Sequence, residues 1–175
     1  MDSLTEAHST SDPAPPLPSF EQLVAQTSGD LYRLAARLTG DLAEADDVLQ
    51  TTWLRAFEAL RAGTFRGESR LETWLYRIVT HAAFDSRRSL RRRERLAERD
   101  PEPKQAPERM EANVELGELR TALQSLPEDQ RTALVLKELQ GLSGREVAEV
   151  MERTEGAVEQ LLVRARAALR ERFGP

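Results

Sequence analysis

The sequence predicts an all-α protein: two small helical domains joined by a flexible linker, the C-terminal one a helix-turn-helix domain. Three observations carry this expectation. Apolar residues recur at helical spacing in two separate blocks, residues 20–93 and 114–173. Ala, Leu, Glu and Arg dominate while aromatics are only 5% of the chain, a mix that favours helices over strands. Between the blocks, residues 94–113 hold Pro101, Pro103 and Pro107 among many charges, so a continuous helix is excluded and a linker is expected.

A chain of 175 residues is long enough for two small domains. Residues 1–18 are rich in Ser, Thr and Pro and read as a disordered tail. The first domain is expected at 19–93. Ser19 with Gln22 makes a capping-box start, and Phe20, Leu23, Val24, Leu31, Leu34, Ala35 and Leu38 follow at helical spacing. Gly40 suits the position just past a helix end, and Asp41 with Glu44 restarts the pattern. Over 41–60, Val48, Leu49, Thr52, Trp53, Ala56, Phe57 and Leu60 form one apolar stripe. Gly63 and Gly67 bracket a loop, and a third helix over 69–88 turns Leu71, Trp74, Leu75, Ile78, Val79 and Ala82 inward. The second domain is expected at 114–175. Leu119, Leu123 and Leu126 lead to a break at Pro127; Ala133, Leu134, Leu136 and Leu139 mark the next helix, stopped by Gly141. Two short helices, about 143–151 and 155–172, complete it.

Composition removes several function classes. The chain has no Cys and only His8 and His81, so disulfides, metal centres and bound cofactors are not expected. No apolar run reaches membrane-spanning length and no secretory start is present, which points to the cytoplasm. No nucleophile–base constellation or phosphate-cradling glycine loop appears, so an enzyme is not expected. Net charge is −5, but acid and base are segregated. Asp41, Glu44, Asp46 and Asp47 stand together, whereas 87–99 hold seven arginines against Glu94 and Glu98. Different faces are expected to meet different partners.

Three surfaces are candidates. Ser143 caps a short helix, the turn Glu152-Arg153-Thr154 follows, and Thr154 caps a helix that buries Val158, Leu161, Leu162, Ala165 and Leu169. Its other face shows Glu159, Gln160, Arg164 and Arg166, suited to a major groove and its phosphates. An ordinary helical hairpin fits the same pattern. Opposite the core stripe of 41–60, Asp47, Gln50, Leu54 and Glu58 align, with one apolar residue in a polar row. That suits a basic protein partner, although a solvated face is the blander reading. The helix 69–88 combines Trp74, Tyr76, His81 and a terminal arginine run, a pattern that suits single-stranded DNA. Trp74 also lies on the apolar stripe, where a core role fits.

The runs Arg37-Leu38-Thr39-Gly40-Asp41, Asp46-Asp47-Val48-Leu49-Gln50, Phe65-Arg66-Gly67-Glu68-Ser69 and Thr73-Trp74-Leu75-Tyr76-Arg77-Ile78, then Leu126-Pro127-Glu128-Asp129-Gln130-Arg131, Gly141-Leu142-Ser143, Glu146-Val147-Ala148, Gly156-Ala157-Val158 and Arg164-Ala165-Arg166, stand in this order in two blocks on either side of the linker. In order and spacing they resemble extracytoplasmic-function (ECF) sigma factors of the sigma-70 family, in both conserved domains.

The resemblance implies a subunit that carries core RNA polymerase to promoter DNA. Asp47, Gln50, Thr51 and Leu54 would dock on the clamp helices of the largest subunit. Phe65, Arg66, Trp74, Arg77, His81, Arg87 and Arg88 would open and hold the −10 element. Lys137, Arg145, Glu159, Gln160, Val163, Arg164 and Arg166 would read the −35 duplex, with the polymerase flap as a further partner. It also implies an anti-sigma factor and no membrane insertion. His81 stands where Asn is frequent, and Glu152 where the turn often carries Gly. A stand-alone helix-turn-helix regulator and a helical adaptor binding only proteins remain alternatives.

Overall fold

The structure, a computed structural model, describes residues 18–67, 69–97 and 114–174. The expected tail, apart from Pro18, and positions 98–113 of the expected linker lie outside the described residues. Those described form seven α-helices and no strand.

Helix α1 spans Phe20–Thr39. The Ser19 hydroxyl accepts from the Gln22 N–H at 3.2 Å, and the Gln22 side chain accepts from the Ser19 N–H at 3.0 Å. This reciprocal cap satisfies two donors that the first turn otherwise leaves open. Gly40 ends the helix at φ 76°, in the left-handed region that glycine adopts freely. Helix α2 (Leu42–Arg61) starts on Asp41, whose carboxylate accepts from the N–H groups of Ala43 and Glu44. Helix α3 spans Leu71–Ala97. The three pack pairwise around Leu31, Leu34, Leu38, Val48, Ala56, Leu75 and Val79, all almost fully buried. Burial of each such leucine stabilises the fold by roughly 1.5–3 kcal/mol.

Two features differ from the sequence expectation. Helix α3 runs to Ala97, past the expected end near 88 and into the expected linker. Residues 89–97 hold no Gly or Pro and are mostly Arg, Leu and Glu, which sustain a helix. Phe57, expected inward, is 45% exposed and meets Phe20 edge-on at 5.2 Å at the rim of the core.

The second unit comprises α4 (Val114–Gln124), α5 (Glu128–Leu134), a π-helical turn (Val135–Leu139), α6 (Gly144–Met151) and α7 (Glu155–Phe173). The π turn was not legible in the sequence; it is marked by the Gln140 N–H donating to the Val135 carbonyl at 3.0 Å. A second reciprocal cap joins Ser143 and Glu146 at the start of α6. Hydrogen bonds from the Ser143 backbone and hydroxyl hold the Glu146 carboxyl below the usual range. Thr154 caps α7 through the Ala157 N–H.

Between α6 and α7, Glu152 adopts φ 53°, ψ 45°. It is the sole non-glycine at positive φ among the described residues. Such a conformation costs of order 1–3 kcal/mol for a residue with a Cβ. Glu152→Gly is therefore expected to raise the stability by about 1 kcal/mol after the extra chain entropy of glycine is subtracted. A urea midpoint that falls instead would show that the turn is not strained.

The two units pack together. Helix α6 lies against α3, and α1 touches α4, α5 and the π turn. Their buried side chains form one continuous cluster.

Candidate functional site

The polar face of α2 is open to solvent. Asp47 and Gln50 are exposed, Thr51 is half-buried, and Leu54 is 59% exposed among them. Val48, Thr52 and Ala56 on the opposite face are buried and fix the rotation of the helix. The result is an exposed apolar contact point, Leu54, in a row with carboxylate and amide groups.

The loop after α2 is shaped by Gly63 and Gly67, at φ 64° and 69°. It holds Phe65 half-buried, its ring centroid 4.9 Å from that of Trp74. Trp74 itself is 8% exposed. It therefore packs in the core as the floor beneath Phe65. Arg66 is exposed at the loop tip, Arg77 and His81 are half-buried along α3, and Arg88 is exposed.

Arg87 behaves differently from the rest of the arginine run. Its Nη1 donates to the Leu38 and Thr39 carbonyls at 2.9 and 3.0 Å and to Gln124 Oε1 at 2.8 Å. It thus caps the C-terminal end of α1, where unpaired carbonyls and the helix dipole favour a cation. Beside it lies Arg131, which the sequence reading did not single out. Arg131 is 2% exposed, its guanidinium donating to Gln124. Burial, with Arg87 adding repulsion, pulls its pKa down to about 10. A buried arginine leaves no mark in hydropathy patterning, because arginine is exposed by default.

In the second unit, Val158, Leu162 and Ala165 anchor α7, leaving Glu159, Gln160, Val163 and Arg164 exposed on its outer face. Arg145 is exposed on α6 and Lys137 is half-buried on the π turn. Arg166 donates to Glu138 at 2.6 Å, and this bond holds its pKa above the ordinary value. Its charge is thus partly engaged within the unit. The expected −35 residues other than Lys137 and Arg145 share one helix.

A cleft of about 840 Å³ opens between α3 and the second unit, lined by His81, Phe84, Arg88, Arg91 and Arg92 and, across it, by Glu128 and Asp129. Among the described residues, no group of three or more His, Asp or Glu side chains is placed to hold a metal ion. None of the described helices is long and apolar enough to cross a membrane.

Comparison with known proteins agrees with this division. The family model described as sigma-70 region 2 matches residues 23–93, and the one described as sigma-70 region 4 matches residues 116–169. The chain is 37% identical over 164 residues to the ECF RNA polymerase sigma factor SigE of Mycolicibacterium smegmatis, covering 89% of itself and 62% of that protein. It is 34% identical over 170 residues to the RNA polymerase sigma-H factor of Pseudomonas aeruginosa, covering 90% of itself and 87% of that relative. Among solved structures, CnrH in complex with the cytosolic domain of CnrY superposes with a TM-score of 0.66 at 29% identity, over 86% of this chain and 84% of that one. Sigma factor RpoE of Bartonella quintana, solved with the anti-sigma factor NepR, shares the fold with a TM-score of 0.70 at 24% identity, over 89% of this chain and 96% of that one. On this evidence the chain belongs to the ECF sigma factors of the sigma-70 family.

Proposed function

We propose that this chain is a non-catalytic specificity subunit that joins core RNA polymerase in the cytoplasm and directs it to promoters. One observation supports this most: a single scaffold displays three separate faces of the right chemistry. The acidic, leucine-centred face of α2 suits the basic clamp helices of the polymerase. Phe65 on its Trp74 floor, beside Arg66, Arg77, His81 and Arg88, suits an unpaired −10 base and its backbone. The open face of α7 suits the −35 major groove, where Glu159 can accept from cytosine N4 and Gln160 can pair with adenine. Exposed Leu54 also gives an anti-sigma factor an apolar hold on the polymerase-docking face.

Flipping a base costs a few kcal/mol, and stacking on an aromatic ring returns about 1–3 kcal/mol. Phe65→Ala is therefore expected to reduce −10 opening by the holoenzyme about tenfold. Permanganate reactivity of the −10 thymines reads the opening, and nuclease footprinting checks that −35 protection is retained. Full opening by the variant would remove Phe65 from base capture. A stand-alone regulator would instead protect duplex DNA without polymerase, and an adaptor would protect none.

A further inference from the structure

The cleft between α3 and the second unit concentrates positive charge. Six arginines line it against three carboxylates, a formal excess of three, in a chain whose net charge is −5. The carboxylates are already engaged. Asp85 accepts from Arg55 at 2.9 Å, Asp129 accepts from Arg153 at 3.2 Å, and Glu128 lies 3.5 Å from Arg91. Arg88, Arg92 and Arg95 also line the cleft, and none of them has an ion pair or hydrogen bond with another described residue.

Steps of four and three residues put these three arginines on one face of α3. Like charges so spaced repel one another on a helix, and a bound anion relieves that repulsion. Phe84, half-buried, lines the same cleft one turn before Arg88. From Phe84 to Arg95 the face runs roughly 16 Å at the helical rise. An aromatic ring stacks a base, and a guanidinium fork matches phosphate oxygens with paired N–H bonds.

We propose that this cleft binds a nucleotide carrying a chain of two or more phosphates, its base against Phe84 and its phosphates along Arg88, Arg92 and Arg95.

Size supports a small ligand. The volume of about 840 Å³ falls within the range of small-molecule sites, roughly 300–1,000 Å³. Such a space holds a nucleotide and excludes a duplex. The two walls support it further. Glu128 and Asp129 of α5 and Arg153 of the turn before α7 stand across from α3. Arg153 thus offers a cation from the second wall, restrained by Asp129. A single DNA strand has the same base and phosphate chemistry, but it would lie along α3 alone. A ligand in the cleft answers to both walls.

Titration calorimetry on the free full chain tests this at about 0.15 M salt, where loose attraction between exposed charges is largely screened beyond roughly 8 Å. The probes are ATP, GTP, inorganic triphosphate, adenosine and guanosine. At least one nucleotide is expected to bind at a single site, about tenfold more tightly than inorganic triphosphate, as stacking of one base supplies. The nucleosides are expected to bind more weakly still. Phe84→Leu is expected to bring the nucleotide down to the affinity of inorganic triphosphate and to leave the latter unchanged. Arg92→Ala with Arg95→Ala is expected to weaken both by at least about tenfold. On the opposite wall, Arg153→Ala is expected to weaken binding about threefold and Asp129→Asn to strengthen it about threefold. These four side chains are exposed or half-buried, and circular dichroism checks that helix content is kept.

The absence of binding by both nucleotides overturns the site. Equal affinities for nucleotide and inorganic triphosphate, unmoved by Phe84→Leu, overturn the nucleotide as its ligand. Affinity that falls with Arg92 and Arg95 but ignores Arg153 and Asp129 places the anion on the open face of α3, as a DNA strand would lie, and overturns the cleft. No polymerase or promoter takes part, so the outcome is separate from that of the promoter reading.

Discussion

Replacing Asp47 and Leu54 together by lysine is expected to weaken binding to core polymerase about 100-fold, some 2.7 kcal/mol. The size follows from the geometry of α2. Leu54 is the apolar centre of an otherwise polar, exposed face, and Asp47 lies two turns earlier on the same side. A buried apolar anchor flanked by charges is the arrangement in which a few residues carry most of an interface's energy. Reversing the charge adds repulsion against a basic partner, which costs more than removing attraction. Both side chains are solvent-facing in the free chain, so the fold should be unaffected. Fluorescence anisotropy with labelled protein measures the change, with exposed Gln26→Lys on α1 as a control. A loss of less than threefold would place the docking surface elsewhere.

Arg87→Ala is expected to destabilise the chain by about 2–3 kcal/mol, the range for hydrogen bonds to a charged group together with the acceptors they leave unpaired. The side chain donates to the last carbonyls of α1 and to Gln124 of the second unit at once. Its removal strips the α1 terminus and loosens the packing of the two units at once. Arg88→Ala, one residue on and exposed, is expected to leave stability within 0.5 kcal/mol and to weaken −10 binding. Urea unfolding of the two variants separates these roles. Equal stabilities would mean that the Arg87 network contributes nothing to the fold.

These neighbouring arginines show where the sequence was readable and where it was not. The caps at Ser19, Asp41, Ser143 and Thr154 appear where the pattern of small polar residues before apolar periodicity put them, because capping is a local interaction within four residues. The stripes on α1 and α3 are buried for the same reason. The inward turn of Arg87 and the docking of α6 on α3 depend on partners far along the chain: Gln124 stands 37 positions from Arg87, Glu128 37 from Arg91 and Glu152 71 from His81, and Gln124 reaches back 87 to Arg37. No local pattern encodes such pairs. The π turn at 135–139 is hidden in the sequence because its apolar spacing reads as ordinary helix. The candidate faces were legible as chemistry, through Leu54 in a polar row and an arginine run beside aromatics. That Trp74 lies beneath Phe65 and not at the surface was open until the rings were placed.

The most direct measurement is run-off transcription with purified core polymerase and this chain over a genomic promoter library. Transcripts that start at a small, shared set of sites, absent with core polymerase alone, are expected. A stable complex that initiates without site preference, or the failure of the chain to bind core polymerase at all, would contradict the assignment of its three faces to polymerase, −10 and −35 recognition.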